Sequence, residues 1–214
     1  MRAPVFFALL AALAALASVP ARADEWNFRV LLDGREVGRH AISVRDSDGL
    51  RWVTSEARFD VRILFIPAWR YDHRAVERWD DGCLRALDSR TVTNREQESV
   101  AARTEGDGLT VTRAGGRDEH RGCVMSFAYW DPRILGATRL LNSQTGELTP
   151  VDIRPQGVET IDVLGRRRIA ERHRIAGKGL QIDVWYAEGR WVALEALAAG
   201  GRVLRYELAG ERAT

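Results

Sequence analysis

The feature that most constrains this chain is a period-two alternation of apolar and polar residues, cut at short intervals by glycine-bearing turns. From Trp69 to Trp79, residues Trp69, Tyr71, His73, Ala75 and Trp79 share one side, and Arg70, Asp72, Arg74 and Arg78 share the other. Successive side chains of a strand project to opposite faces, so this pattern turns one face inward and one to water. Turn signals include Asp33-Gly34, Asp48-Gly49, Asp81-Gly82, Asp107-Gly108, Gly115-Gly116, Leu164-Gly165, Gly177-Lys178-Gly179, Glu188-Gly189 and Gly200-Gly201. Connections this short force antiparallel neighbours.

The pattern predicts strands over residues 26–32, 37–45, 50–65 and 69–79, with another opening at Cys83. Trp26, Phe28, Val30 and Leu32 share the inward face of the first, His40, Ile42 and Val44 that of the second, and Val53, Ala57, Phe59 and Val61 that of the third. Pro67 is read as the end of the third strand. Residues 94–105 are polar and read as an edge or a mobile hairpin, and 109–113 with 118–121 as two short arms. Further strands are expected over 148–153, 158–164, 167–176, 180–186, 191–197 and 203–208. No Pro- or Ser-rich linker divides the chain, which reads as a single β-rich domain over residues 24–214.

The alternation breaks at Gly122-Cys123-Val124-Met125-Ser126-Phe127-Ala128-Tyr129-Trp130-Asp131-Pro132. Asp131 is a good helix cap and Pro132 a good first helical residue. Residues 125–142 are expected to form one or two short helices or turns covering one end of the sheet. Ten or more twisted antiparallel strands curl on themselves or split into two layers. The expected fold is all-β: a single strongly curved antiparallel meander, either a barrel or an open half-barrel, with those short helices as plug or lid.

The first residues read as an export signal. Arg2 precedes an apolar run, and Ala21-Arg22-Ala23 has the small-x-small pattern of a cleavage site. The expected cut after Ala23 makes residues 1–23 a signal peptide and places the mature chain in the periplasm or outside the cell. Later apolar runs are too short for an integral membrane segment. The chain has 32 basic and 30 acidic residues, and Arg2 and Arg22 leave with a signal that holds no acid. The remainder is formally neutral, which argues against a nucleic-acid partner. Two cysteines remain, Cys83 and Cys123. In an exported protein they favour a disulfide, and closing that loop is worth roughly 4 kcal/mol. The alternative is a pair of buried free thiols.

His40, His73 and His173 lie on the inward sides of their strands. They line a site or they are core histidines with local hydrogen-bond partners. Without His-x-His or His-Glu-x-x-His spacing, no metal and no cofactor is expected. Glu77 and Glu171 also fall inward by strict alternation, and Glu171 stands beside His173. Ser126 has none of the surroundings of a hydrolase nucleophile and reads as a packing serine. The aromatics form either a plain core or the lining of a pocket for a hydrophobic ligand. Tyr129 and Trp130, on the element that leaves the sheet, are the first candidates for that lining, followed by Trp69, Tyr71 and His73.

The block from Gly122 to Pro132, with Leu140-Leu141-Asn142 and Thr145-Gly146-Glu147, resembles an uncharacterised family of exported bacterial proteins catalogued as a domain of unknown function. Phe59-Asp60-Val61, Tyr71-x-His73, Trp79-x-x-Gly82-Cys83-Leu84 and Leu180-x-Ile182-Asp183-Val184-Trp185-Tyr186 carry the same resemblance. It implies export and a β-rich fold, and no activity. In layout alone the chain is similar to periplasmic lipoprotein carriers, whose unclosed barrel has a helical lid. The sequence therefore points first to a cell-envelope protein holding a lipid or other hydrophobic small molecule. The alternative is a non-enzymatic interaction module with a solid core. An enzyme in which His73, His173 and Glu171 converge is the third reading.

Overall fold

The computed structural model describes residues 23–63 and 66–212. The expected export signal lies outside the described residues except for Ala23, and so do Leu64 and Phe65. Eight strands follow one another without interruption: β1 (Ala23–Leu32), β2 (Arg35–Ser47), β3 (Leu50–Ile63), β4 (Ile66–Asp80), β5 (Cys83–Thr93), β6 (Glu96–Glu105), β7 (Gly108–Arg113) and β8 (Gly116–Arg121). A connecting strap then carries the short strands β9 (Arg139–Leu141) and β10 (Leu148–Pro150). The meander resumes with β11 (Asp152–Val163), β12 (Arg166–Gly177), β13 (Leu180–Ala187), β14 (Arg190–Leu197) and β15 (Val203–Arg212). Asp33 and Gly34 show how the tightest connections work. Both have positive φ, 50° and 78°, the two-residue turn whose twist matches that of paired strands.

Three strand expectations are corrected. Residues 148–153 and 158–164 are not two strands of the meander: Leu148–Pro150 pairs with β9, and Asp152–Val163 is one strand that runs through an irregularity between Pro155 and Gly157. Pro67 does not end a strand; it lies near the start of β4, beside a register shift between Val61 and Arg62 of β3. A residue without an N–H is tolerated at such a bulge. Residues 94–105 are not an edge. Asn94 belongs to a turn, and β6 pairs with both β5 and β7. Its polar residues face out, while Val100 and Ala102 are buried.

Among the described residues, thirteen strands form one antiparallel sheet in the order β11-β12-β13-β14-β15-β1-β2-β3-β4-β5-β6-β7-β8. The first strand pairs with the last, Phe28 opposite Leu208 and Val30 opposite Tyr206. The open edges are β8 and β11, and the sheet does not close into a barrel. It does curl. Tyr71 on β4 and Ile182 on β13 line one cavity of about 270 Å³. In a flat sheet the six steps between those strands would separate them by roughly 30 Å.

The strap, residues 122–151, joins the two edges and lies inside the curl. Its Val124, Ala128, Trp130, Ile134, Leu140 and Leu141 belong to one core with Trp26, Trp79, Val111, Ile175 and Val184 from strands around the sheet. Ile134, Leu140 and Leu141 are wholly buried, each worth about 1.5–3 kcal/mol. The only helical turn of the strap among the described residues is a 3-10 turn at Pro132–Gly136, where Asp131 accepts from Arg133 N at 3.0 Å. So the strap runs along the concave face instead of covering one end. Its apolar residues are spread from 124 to 141 and need the whole face to bury them.

The strap is pinned where it starts. Cys83 and Cys123 form a disulfide with Cα atoms 5.1 Å apart, and Leu84 N donates to Val124 O at 2.8 Å. On the convex face, cross-strand ion pairs such as Arg29–Glu207 (2.8 Å) and Arg58–Asp72 (3.1 Å) stand in solvent, where each is worth little. Edge β8 is short and mostly charged, which discourages pairing with other chains.

A Cβ at Gly38 would sit 1.9 Å from Arg58 O, whereas one at Gly210 meets nothing within 4 Å. Gly38→Ala should lower stability by about 1–3 kcal/mol, and Gly210→Ala should leave the thermal midpoint near that of the parent. Replacing Cys83 and Cys123 together by alanine should cost about 2–5 kcal/mol in denaturant unfolding. An unchanged midpoint would mean that packing alone seats the strap.

Candidate functional site

The cavity lies between the strap and the middle of the sheet. Alternation along β4 brings Tyr71, His73, Ala75 and Glu77 to its wall; Val53, Ser55 and Ala57 of β3 and His40 and Ile42 of β2 continue that wall. The opposite wall comes from β13, β14 and β15, with Ile182, Trp191 and Tyr206. The strap supplies Ser126 to Trp130 and Asn142 to Gln144. Its backbone is held in tight turns there: Ala128 N donates to Ser126 O at 2.7 Å and Tyr129 N to Phe127 O at 3.0 Å. Leu141 N donates to Met125 O at 2.8 Å, and the Tyr186 hydroxyl donates to Tyr129 O at 2.8 Å. The strap's aromatic side chains are therefore fixed from both sides.

Tyr129, Trp130, Tyr71 and His73 all line the cavity. Trp69 does not. It stacks on Tyr71 at 5.5 Å and on Phe59 at 6.2 Å, extending a ladder in which Phe59 and Tyr71 lie 5.0 Å apart. His173 and Glu171 are also elsewhere. His173 Nε2 lies 3.6 Å from Glu171 Oε2, and the Glu171 side chain is 68% exposed, so strict alternation misplaced it. Glu171 pairs with Val158 of β11 and Tyr186 of β13, yet its side chain stands in solvent. Trp191 and Tyr206 were missed as site residues. Their own alternation was visible, but nothing local says which strand they will face across the curl. Trp191 packs against Phe28 at 4.2 Å and Tyr129 at 5.4 Å.

The polar groups of the wall are arranged as neutral pairs. His40 Nε2 lies 2.7 Å from Ser55 Oγ. His73 Nδ1 lies 2.9 Å from Thr91 Oγ1 and its Nε2 3.4 Å from Ser143 Oγ. Burial, and then the neighbouring His73, pushes His40 down to about 3. Burial, against the opposing pull of Asp72, pushes His73 down to about 4. Burial raises the Glu77 carboxyl, although it accepts from Trp79 Nε1 at 2.9 Å and from Ser126. Burial also raises the phenols of Tyr71, Tyr129 and Tyr206. Both imidazoles are uncharged at neutral pH. Among the described residues no group of three or more His, Cys, Asp or Glu side chains is placed to hold a metal ion, and no helix is long and apolar enough to cross a membrane.

These imidazoles make stability pH-dependent. A free imidazole takes up its proton near pH 6.5, whereas folded His73 does so only near 4. Between those values the unfolded state binds more protons, so stability falls as pH drops from 6.5 towards 4, by about 2–3 kcal/mol for His73. Denaturant unfolding from pH 7 to pH 4 should show a shallower loss in His73→Gln than in the parent. Coincident slopes would contradict the assignment.

Comparison with known proteins places the chain without assigning it an activity. No curated protein matches it. The model of one family, described as a domain of unknown function (DUF6134), matches residues 28–209. That span takes in β1 from Phe28, the strap and most of β15, so the match covers both the sheet and the cavity it encloses. The chain belongs to the DUF6134 family.

Proposed function

We propose that this is an exported cell-envelope protein that holds a hydrophobic or amphipathic small molecule, such as a lipid, in the cavity between sheet and strap. The observation that carries this reading is the cavity itself: about 270 Å³ walled largely by aromatic and aliphatic side chains on rigid strands and a disulfide-pinned strap. That is near the lower end of small-molecule pockets, and suits a slender ligand better than a bulky one. Tyr129, Trp130, Tyr71 and His73 are the contacts, with Trp69 buttressing Tyr71. The leader pattern of residues 1–23 and the disulfide support export.

An interaction module is the second reading, and one observation favours it. Val158 and Ile169, 66% and 71% exposed, lie on one face of the β11–β12 hairpin, and β11 is an open edge. The two readings separate on the protein purified without detergent. Native mass spectrometry followed by organic extraction should reveal a co-purifying small molecule. Ala57→Phe, which fills the wall, should abolish its retention and leave the thermal midpoint within a few degrees. A clean apo mass, with no small molecule in the extract, would overturn the binding reading.

A further inference from the structure

The chemistry of the cavity wall narrows the ligand class, an inference that rests on the binding reading above. Among the described residues no lysine or arginine lines the cavity. The one carboxyl among the described residues that does, Glu77, is 7% exposed and already engaged by Trp79 and Ser126. The two imidazoles are paired with hydroxyls, His40 with Ser55 and His73 with Thr91 and Ser143. A carboxylate or phosphate drawn into this space would give up its water and meet no countercharge, which disfavours it.

What the wall does offer is neutral hydrogen bonding. Among the described residues, the wall's buried polar atom without a partner is His40 Nδ1, and three phenols, those of Tyr71, Tyr129 and Tyr206, are on the lining. Burial raises all three, so each keeps its proton and remains a donor as well as an acceptor. Asn142, Ser143 and Gln144 of the strap also line the cavity. A ligand carrying a hydroxyl, carbonyl or amide meets neutral donors and acceptors in these groups.

We propose that the cavity selects an uncharged ligand, with an apolar body and a hydroxyl, carbonyl or amide at the enclosed end, and discriminates against anionic molecules of the same size. The polar end is recognised by the tyrosine hydroxyls, and the body lies against Trp191, Trp130 and the aliphatic wall.

Isothermal titration calorimetry of the purified protein at pH 7.5 tests this with probes that share one tail: decanol, decanamide, decanoate and decyltrimethylammonium. Decanol and decanamide should bind at least about tenfold more tightly than decanoate, a difference of about 1.4 kcal/mol. Tyr206→Phe, which removes only a hydroxyl, should weaken decanol by roughly three- to tenfold without moving the thermal midpoint by more than a few degrees. Decanoate or the ammonium probe binding as tightly as decanol would overturn this inference and leave the binding reading standing. No binding by any probe would overturn both.

Discussion

The structure depends on one requirement: a long antiparallel sheet with an apolar face must bury that face although the described residues provide almost no helix to cover it. Trp26, Phe28, Ile42, Val53, Ala75 and Trp79 lie on that face and are all nearly inaccessible to water. Two solutions operate together. The sheet curls until β4 and β13 share a cavity, and the connection between its two edges is folded into the curl. The apolar strap residues thus complete a core that the sheet alone leaves open.

The same solution creates the site. Side chains from a curved wall converge on a strap that is irregular, because it has to cross from one edge of the sheet to the other. Irregular backbone satisfies its own polar groups through local turns and anchors, here the bonds around Ser126 to Tyr129 and the Tyr186 hydroxyl. A segment constrained in that way does not fill the interior with the efficiency of interdigitating strands. The remaining volume lies beside Tyr71, Tyr129 and Trp191, and its polar rim is neutral because charged groups so deep would lack partners.

Much of this was legible in the sequence, for definite reasons. Period-two alternation and glycine turns are local signals, so the strands, the antiparallel meander and the inward face of β4 could be read directly. Tyr71, His73, Tyr129 and Trp130 were accordingly named for the lining, and they are at the cavity. Three things were not legible. Pairing of β1 with β15 and the seat of Trp191 and Tyr206 depend on curvature, which is a property of the whole sheet. Trp69 alternates in phase with Tyr71, yet it lies along the stack outside the lining. Glu171 also keeps phase but is exposed, and alternation carries no information about which inward positions are covered.

The central claim is that the curled sheet and the strap enclose a real volume bounded by β4 on one side and β13 to β15 on the other. X-ray diffraction from crystals pressurised with xenon tests it most directly, because xenon enters apolar cavities without needing a specific ligand. The account predicts xenon density between Tyr71, Tyr129 and Trp191. An interior without xenon, with strap side chains packed directly on the sheet, would contradict it.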